Sequence, residues 1–181
     1  MKYFKMLVPA LVLGMFFAGC STGPAKSPEV SDRIRTNLDQ AKFTDVSVSQ
    51  DRDKGVITLG GHVASDADKS QAEAIAKADA AGQVVANEIE VVPPGGDNKA
   101  GTVNSDLDKA IEKNLDAALI QNKLDKGVSY EVKSGVVTLK GEANSEAKRA
   151  RVETIASHVP NVQQVVNELD VKSQKATSSK Q

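Results

Sequence analysis

Apolar positions recur along this chain with two periods, 3.6 and 2, and the order in which the periods follow one another occurs twice. Val30, Ile34, Leu38 and Ala41 stand at i, i+4, i+8 and i+11, one face of an amphipathic helix. Ser27-Pro28-Glu29 ahead of them reads as a helix start, with an N-cap serine, proline at the first helical position and an acid in the first turn. Val46 and Val48 then alternate with serines as a half-buried strand. Asp51-Arg52-Asp53-Lys54-Gly55 reads as a turn, and residues 56–63 return as the second strand of a hairpin. Ser65 and Asp68 form a capping box for a second helix, in which Ala72, Ile75 and Ala76 lead to a stop at Gly82. Val85, Asn87, Ile89 and Val91 make a last strand. The predicted order is α-β-β-α-β, with both helices on one face of the sheet so that each buries its stripe.

The same order returns downstream. Ser105 and Asp108 repeat the capping box and open a helix with Leu107, Ile111, Leu115, Ala118 and Leu119 on one face. Val128, Tyr130 and Val132 alternate as a strand, and Lys133-Ser134-Gly135 is a short hairpin loop. A strand from Val136, a helix from Ser145 and a strand over residues 165–171 complete the unit. Gly55-Val56-Ile57-Thr58-Leu59 is matched by Gly135-Val136-Val137-Thr138-Leu139, and from there 15 of 37 aligned positions are identical without a gap. A unit of about 65–75 residues is too long for a solenoid repeat. The chain therefore reads as α+β, two small α-β-β-α-β sandwich domains in tandem over 29–92 and 105–172. Residues 93–104, with Pro93-Pro94-Gly95-Gly96, have linker composition. A domain this small buries only about 60% of its unfolded surface, so each half is expected to be marginally stable.

The amino terminus departs from both periods. Met1-Lys2-Tyr3-Phe4-Lys5 is positive, and residues 6–17 are an apolar run too short for the roughly 20 residues of a membrane span. That layout is a secretory signal over residues 1–19. Phe17-Ala18-Gly19-Cys20 resembles the lipobox of bacterial lipoproteins, departing at Phe17 where Leu is usual. The resemblance implies cleavage before Cys20, a diacylglycerol on its sulfur and an acyl chain on its amine; Ser21 implies sorting to the outer membrane of a diderm bacterium. The alternative is an unmodified thiol in an ordinary signal peptide. Cys20 is the one cysteine of the chain, so an internal disulfide is excluded. Residues 20–28 then form the acylated cysteine and a flexible tether, reaching at most about 27 Å.

Charge separates the halves. Residues 29–92 carry twelve acids against seven bases, whereas the second half is nearly balanced and clusters its bases. Lys148, Arg149 and Arg151 lie within one turn, Lys109 and Lys113 sit on the preceding helix, and Lys172, Lys175 and Lys180 follow. Such clusters read either as solvated helix faces or as a contact for anionic lipid, where each basic group contributes about 1 kcal/mol at best. Residues 173–181 read as a disordered tail. There is no Trp and aromatics are 3% of residues, which removes the usual stacking platform for bases and sugars.

The Gly-Val-(Ile/Val)-Thr-Leu-x-Gly strand, the serine-started helix after it and the closing Val-x-Asn-Glu strand resemble the BON domain of osmotically inducible periplasmic proteins. Two copies behind a lipobox resemble the dual-BON outer-membrane lipoproteins. The hallmark glycines are Gly55, Gly61, Gly135 and Gly141, placed for turns and close packing at strand ends. The resemblance implies no enzymatic activity and binding to phospholipid or envelope partners, through the first helix of the second domain and adjacent loops.

No alternative chemistry assembles. His62 and His158 are not equivalent between repeats and lack a third ligand spaced for zinc. Gly60-Gly61 and Gly95-Gly96 precede no Lys-Ser/Thr helix, and Ser65 and Ser145 read as caps without a base. The expectation is a non-catalytic lipoprotein with no metal and no cofactor beyond its acyl chains. It would face the periplasm from the outer membrane and bind phospholipid, anionic headgroups included, through Lys109, Lys113, Lys148, Arg149 and Arg151, in support of membrane integrity or the osmotic stress response. No nucleic acid or small-molecule substrate is expected. The other reading is a protein-binding module or chaperone-like adaptor for envelope proteins.

Overall fold

The structure, a computed structural model, describes residues 26–95 and 99–171. Cys20, the signal segment and the terminal lysines lie outside the described residues. The first domain runs α1 (Ser31–Gln40), β1 (Val46–Asp51), β2 (Val56–Val63), α2 (Asp66–Asp79), β3 (Val84–Asn87) and β4 (Glu90–Val91). The second runs α3 (Lys99–Gln121), β5 (Val128–Lys133), β6 (Val136–Ala143), α4 (Glu146–Ser157), β7 (Gln164–Asn167) and β8 (Asp170–Val171). Each is the expected α-β-β-α-β unit, with one refinement: the last strand is broken in two.

The hairpin β1–β2 is antiparallel, with Val48 opposite Leu59, while β3 and β4 lie parallel to β2. The parallel pairing follows from the crossover helix α2, which returns the chain to the same end of the sheet. Register repeats in the second half, where Tyr130 faces Leu139 and β7 and β8 run parallel to β6. Ile34 and Leu38 of α1, Ala72 and Ala76 of α2, and Ile57 and Leu59 of β2 close one core. Ile111, Leu115, Val137, Leu139, Val152 and Ala156 close the other.

The break in the last strand has the same cause twice. The Asn87 Oδ1 accepts the Ile89 N–H at 3.4 Å, and its Nδ2 donates to Glu73 of α2 at 3.1 Å. Asn167 does the same with the Leu169 N–H at 3.2 Å and Glu153 of α4 at 2.9 Å. The recurrent Asn-Glu pair is thus a structural bend that ties the strand to its own helix.

Two helix starts differ from the sequence pattern. Ser27 and Pro28 stay outside α1, which begins at Ser31 with Val30 as a cap that offers no side-chain bond. A distant residue takes part there: Gln50 Oε1 of β1 accepts the N–H groups of Val30 at 3.1 Å and Ser31 at 3.3 Å, the latter shared with the Glu29 carboxylate at 2.9 Å. Likewise, α3 begins at Lys99, so Ser105 lies inside it and residues 99–104 of the expected linker are helical. Asp108 takes no part in a cap. Its two carboxylate oxygens accept the Ser134 and Gly135 N–H groups, each at 2.9 Å, and so hold the β5–β6 turn. The N-caps at Ser65 and Ser145 do form, each hydroxyl accepting the N–H three residues on, at 3.2 Å.

The second face of each sheet meets the other domain. Val56 and Ala86 pack against their repeat equivalents Val136 and Val166 in one small apolar cluster. Gln164 bridges to β3, donating to the Val85 carbonyl at 2.7 Å and accepting the Asn87 N–H at 3.2 Å. At the flanks, Lys54 pairs with Asp170 at 2.6 Å and Lys133 with Glu88 at 3.5 Å. The hairpin turn of each domain thereby reaches the broken last strand of the other.

Candidate functional site

Helices α3 and α4 place the five basic residues singled out from the sequence, and they fall into two groups. Lys109 and Lys113 are exposed one turn apart on α3, Lys109 within 3.5 Å of Asp106. Arg151 is exposed on α4, and neither Lys113 nor Arg151 enters an ion pair among the described residues.

The remaining two are engaged internally. Lys148 Nζ donates to the Lys126 carbonyl. Arg149 lies half-buried, its guanidinium donating to the Asn167 carbonyl at 3.2 Å, with Nε buried and without a partner. Arg149 therefore closes the edge of β7 from its own helix. In the first domain the equivalent residue is Lys69, whose Nζ stands 3.5 Å from Gln163 Oε1 instead.

Between the helices that carry these bases lies a largely apolar groove of about 500 Å³, with Asn114, Gln121, Thr154 and His158 also in its lining. Ala117 and Ala118 of α3 line it with Ile155, Val159 and Pro160 from the other side. The two alanines create the space, because larger residues at those helical positions would fill it. A second cavity, of about 390 Å³, opens between the domains among Lys69, Ile89, Leu107, Asp108 and Gln163. Burial holds the Lys69 ammonium there below the ordinary lysine range, against the opposing pull of Asp66, Glu73 and Asp108.

The four hallmark glycines are placed at strand ends. Gly55 and Gly135 sit in the two hairpin turns, and Gly61 and Gly141 near the far ends of β2 and β6. At Gly61, φ is +91° and a Cβ would collide with the Asp45 carbonyl oxygen; at Gly141, φ is +106° and the collision is with the Gly127 carbonyl. Sequence reasoning placed Asn87 in a strand and Asp108 in a cap, missing the bend and the turn that they hold, and did not single out Gln164. For Asn87 the signal was present, since its Asn-Glu neighbourhood recurs in both repeats.

Among the described residues, no group of three or more His, Cys, Asp or Glu side chains could hold a metal ion. His62 and His158 are exposed, and His158 Nδ1 lies 2.6 Å from the Thr154 carbonyl. No described helix is long and apolar enough to cross a membrane.

The BON domain family matches residues 28–93 and 107–173. Osmotically-inducible protein Y of Escherichia coli (strain K12) is 34% identical over 137 residues, covering 74% of this chain and 65% of that protein, just under two thirds of its length. Among solved structures, the C-terminal domain of CdsD, the structural protein of the type III secretion system of Chlamydia trachomatis, aligns at 13% identity. That alignment covers 80% of this chain and 66% of CdsD, with a TM-score of 0.33. Another CdsD structure aligns at 15% identity over 77% of this chain and 90% of its own, with the same TM-score.

Proposed function

The chain belongs to the BON-domain family, and from that premise we propose that it is a non-catalytic envelope protein that touches anionic phospholipid with its second domain. Cys20 carries the diacylglycerol and N-acyl chain, and these hold the protein on the periplasmic face of the outer membrane. At about 0.8 kcal/mol per buried methylene, two or three chains give lasting attachment. The likeness to an osmotically inducible protein supports a role in osmotic stress or membrane integrity.

The observation that carries the lipid contact is the apolar groove between α3 and α4 on helices that also present Lys109, Lys113 and Arg151 to solvent. Headgroup charge would meet the bases, and the groove offers apolar surface beside them. Three bases at about 1 kcal/mol each give weak docking. The anchor raises the local concentration enough for such contacts to matter. Lys148 and Arg149 belong to the fold rather than to this contact.

The experiment is charge reversal. The triple variant Lys109→Glu, Lys113→Glu, Arg151→Glu is expected to lose binding to vesicles of anionic lipid at least tenfold while keeping its thermal midpoint. Binding that survives the reversal would favour the protein-partner reading, for which β1 and β5 supply outer sheet edges.

A further inference from the structure

Each domain closes its own core, so the seam between them is held by little. Its buried apolar cluster is four side chains of Val and Ala size, Val56, Ala86, Val136 and Val166, beside which α3 meets β4 around the open interdomain cavity. The rest is polar: the Gln164 amide on the edge of β3, Lys69 near Gln163, and the two ion pairs. We propose that this seam is an ionic-strength-released joint, in which Lys54–Asp170 and Lys133–Glu88 latch the domains at low salt and their screening lets the domains part while both remain folded.

The geometry sets the sign. Both pairs cross the seam with opposite charges, so screening weakens them in the same direction. They flank the apolar cluster on its two sides, each joining one domain's hairpin turn to the other's last strand. The pairs are not alike. Asp170 is largely exposed, and its pair is of the kind whose worth is modest and salt-dependent. The Glu88 side chain is only 14% exposed, so once Lys133 is screened a carboxylate is left in the seam without its paired counter-charge, with only the weaker pull of Lys140 remaining. Glu131 of the neighbouring strand, itself paired with Lys140 at 2.9 Å, adds like charge nearby. A weak apolar contact held shut by such pairs is poised to open with salt. The inference stands independently of the lipid reading.

Two adjacent amides separate joint opening from unfolding. The Asn87 N–H is bonded across the seam to Gln164, whereas the Glu88 N–H is bonded to the Leu59 carbonyl within its own domain at 2.9 Å. Hydrogen exchange at both would be followed by NMR on the full chain from 50 to 500 mM NaCl, and in sucrose at matched osmolality. Exchange at Asn87 is expected to rise about fivefold with NaCl while Glu88 holds steady, and sucrose should not reproduce the change. In the double variant Lys54→Met, Lys133→Met, Asn87 should exchange quickly at low salt and lose its salt response. Four outcomes would overturn the joint: an Asn87 rate indifferent to NaCl, an equal acceleration in sucrose, a parallel acceleration of Glu88, or a salt response that persists in the double variant.

Discussion

Gln164 does for Val85 what a neighbouring strand would do: its side-chain amide takes the Val85 carbonyl and the Asn87 N–H, two outward-facing groups on the edge of β3. The repeat equivalent of Gln164 is Val84, which is 47% exposed and bridges nothing. A single difference between the repeats therefore closes one edge. An unpaired buried backbone group costs about 1–3 kcal/mol, so this amide is a principal polar contact of the seam. Gln164→Ala is expected to weaken domain docking by about 1–2 kcal/mol. Chemical shifts at Val56, Ala86, Val136 and Val166 should move, while those of Ile34 and Leu115, deep in the separate cores, stay in place.

The glycines at the ends of β2 and β6 give a sharper result. Gly61→Ala adds a Cβ at positive φ into the Asp45 carbonyl, and Gly141→Ala adds one into the Gly127 carbonyl. Each should cost upwards of about 2 kcal/mol, confined to its own domain. Thermal denaturation read by domain-specific NMR signals checks it, and a variant with an unshifted midpoint would contradict the placement.

The serines offer a contrast within one residue type. Ser65→Ala and Ser145→Ala remove working N-caps and should each cost about 1 kcal/mol. Ser105→Ala should be close to neutral, because α3 runs past it. Asp108→Ala, beside it on the same helix, releases two turn N–H groups and should cost about 2 kcal/mol. Denaturant titrations of the four variants order these effects.

Much of the fold was legible because its signals are local. The strand-turn-strand patterns, the N-caps at Ser65 and Ser145 and the repeated glycines each depend on residues close in sequence. The misread starts at Ser27 and Ser105 carry equally good local signatures, and long-range partners overrode them. Gln50 comes from β1 to cap α1, and the turn N–H groups of Ser134 and Gly135 claim the carboxylate of Asp108. The basic groups were found by type, but their availability depends on tertiary contacts. Arg149 and Arg151 look alike along the helix, yet one turns inward to Asn167 while the other stays exposed. The seam left no pattern of its own, since it rests on one glutamine, two ion pairs between residues far apart in sequence and a few small apolar residues.

Acidity should act on the seam through Glu88. Burial pushes its carboxyl above the ordinary range; Lys133 and Lys140 pull it down, and Glu131 pushes it up. A carboxyl whose pKa is raised on folding is favoured in its protonated form. Its contribution is therefore fully present below the ordinary carboxylate range and is lost as pH rises through the raised value. Glu88→Gln removes this dependence, so the parent chain should gain stability relative to the variant as pH falls from 7 toward 4. Thermal midpoints of the two proteins across that interval give the difference directly, and a constant difference would contradict the assignment.

The most direct measurement of the central claim is flotation of the chain beginning at Ser21, without Cys20 and its acyl chains, with vesicles containing anionic lipid at low and moderate salt. The account predicts flotation at low salt that falls away as salt rises, and none with neutral vesicles. A chain that stays at the bottom of the gradient at every salt concentration would contradict the headgroup contact, leaving the lipid on Cys20 as the membrane attachment and turning the search to protein partners.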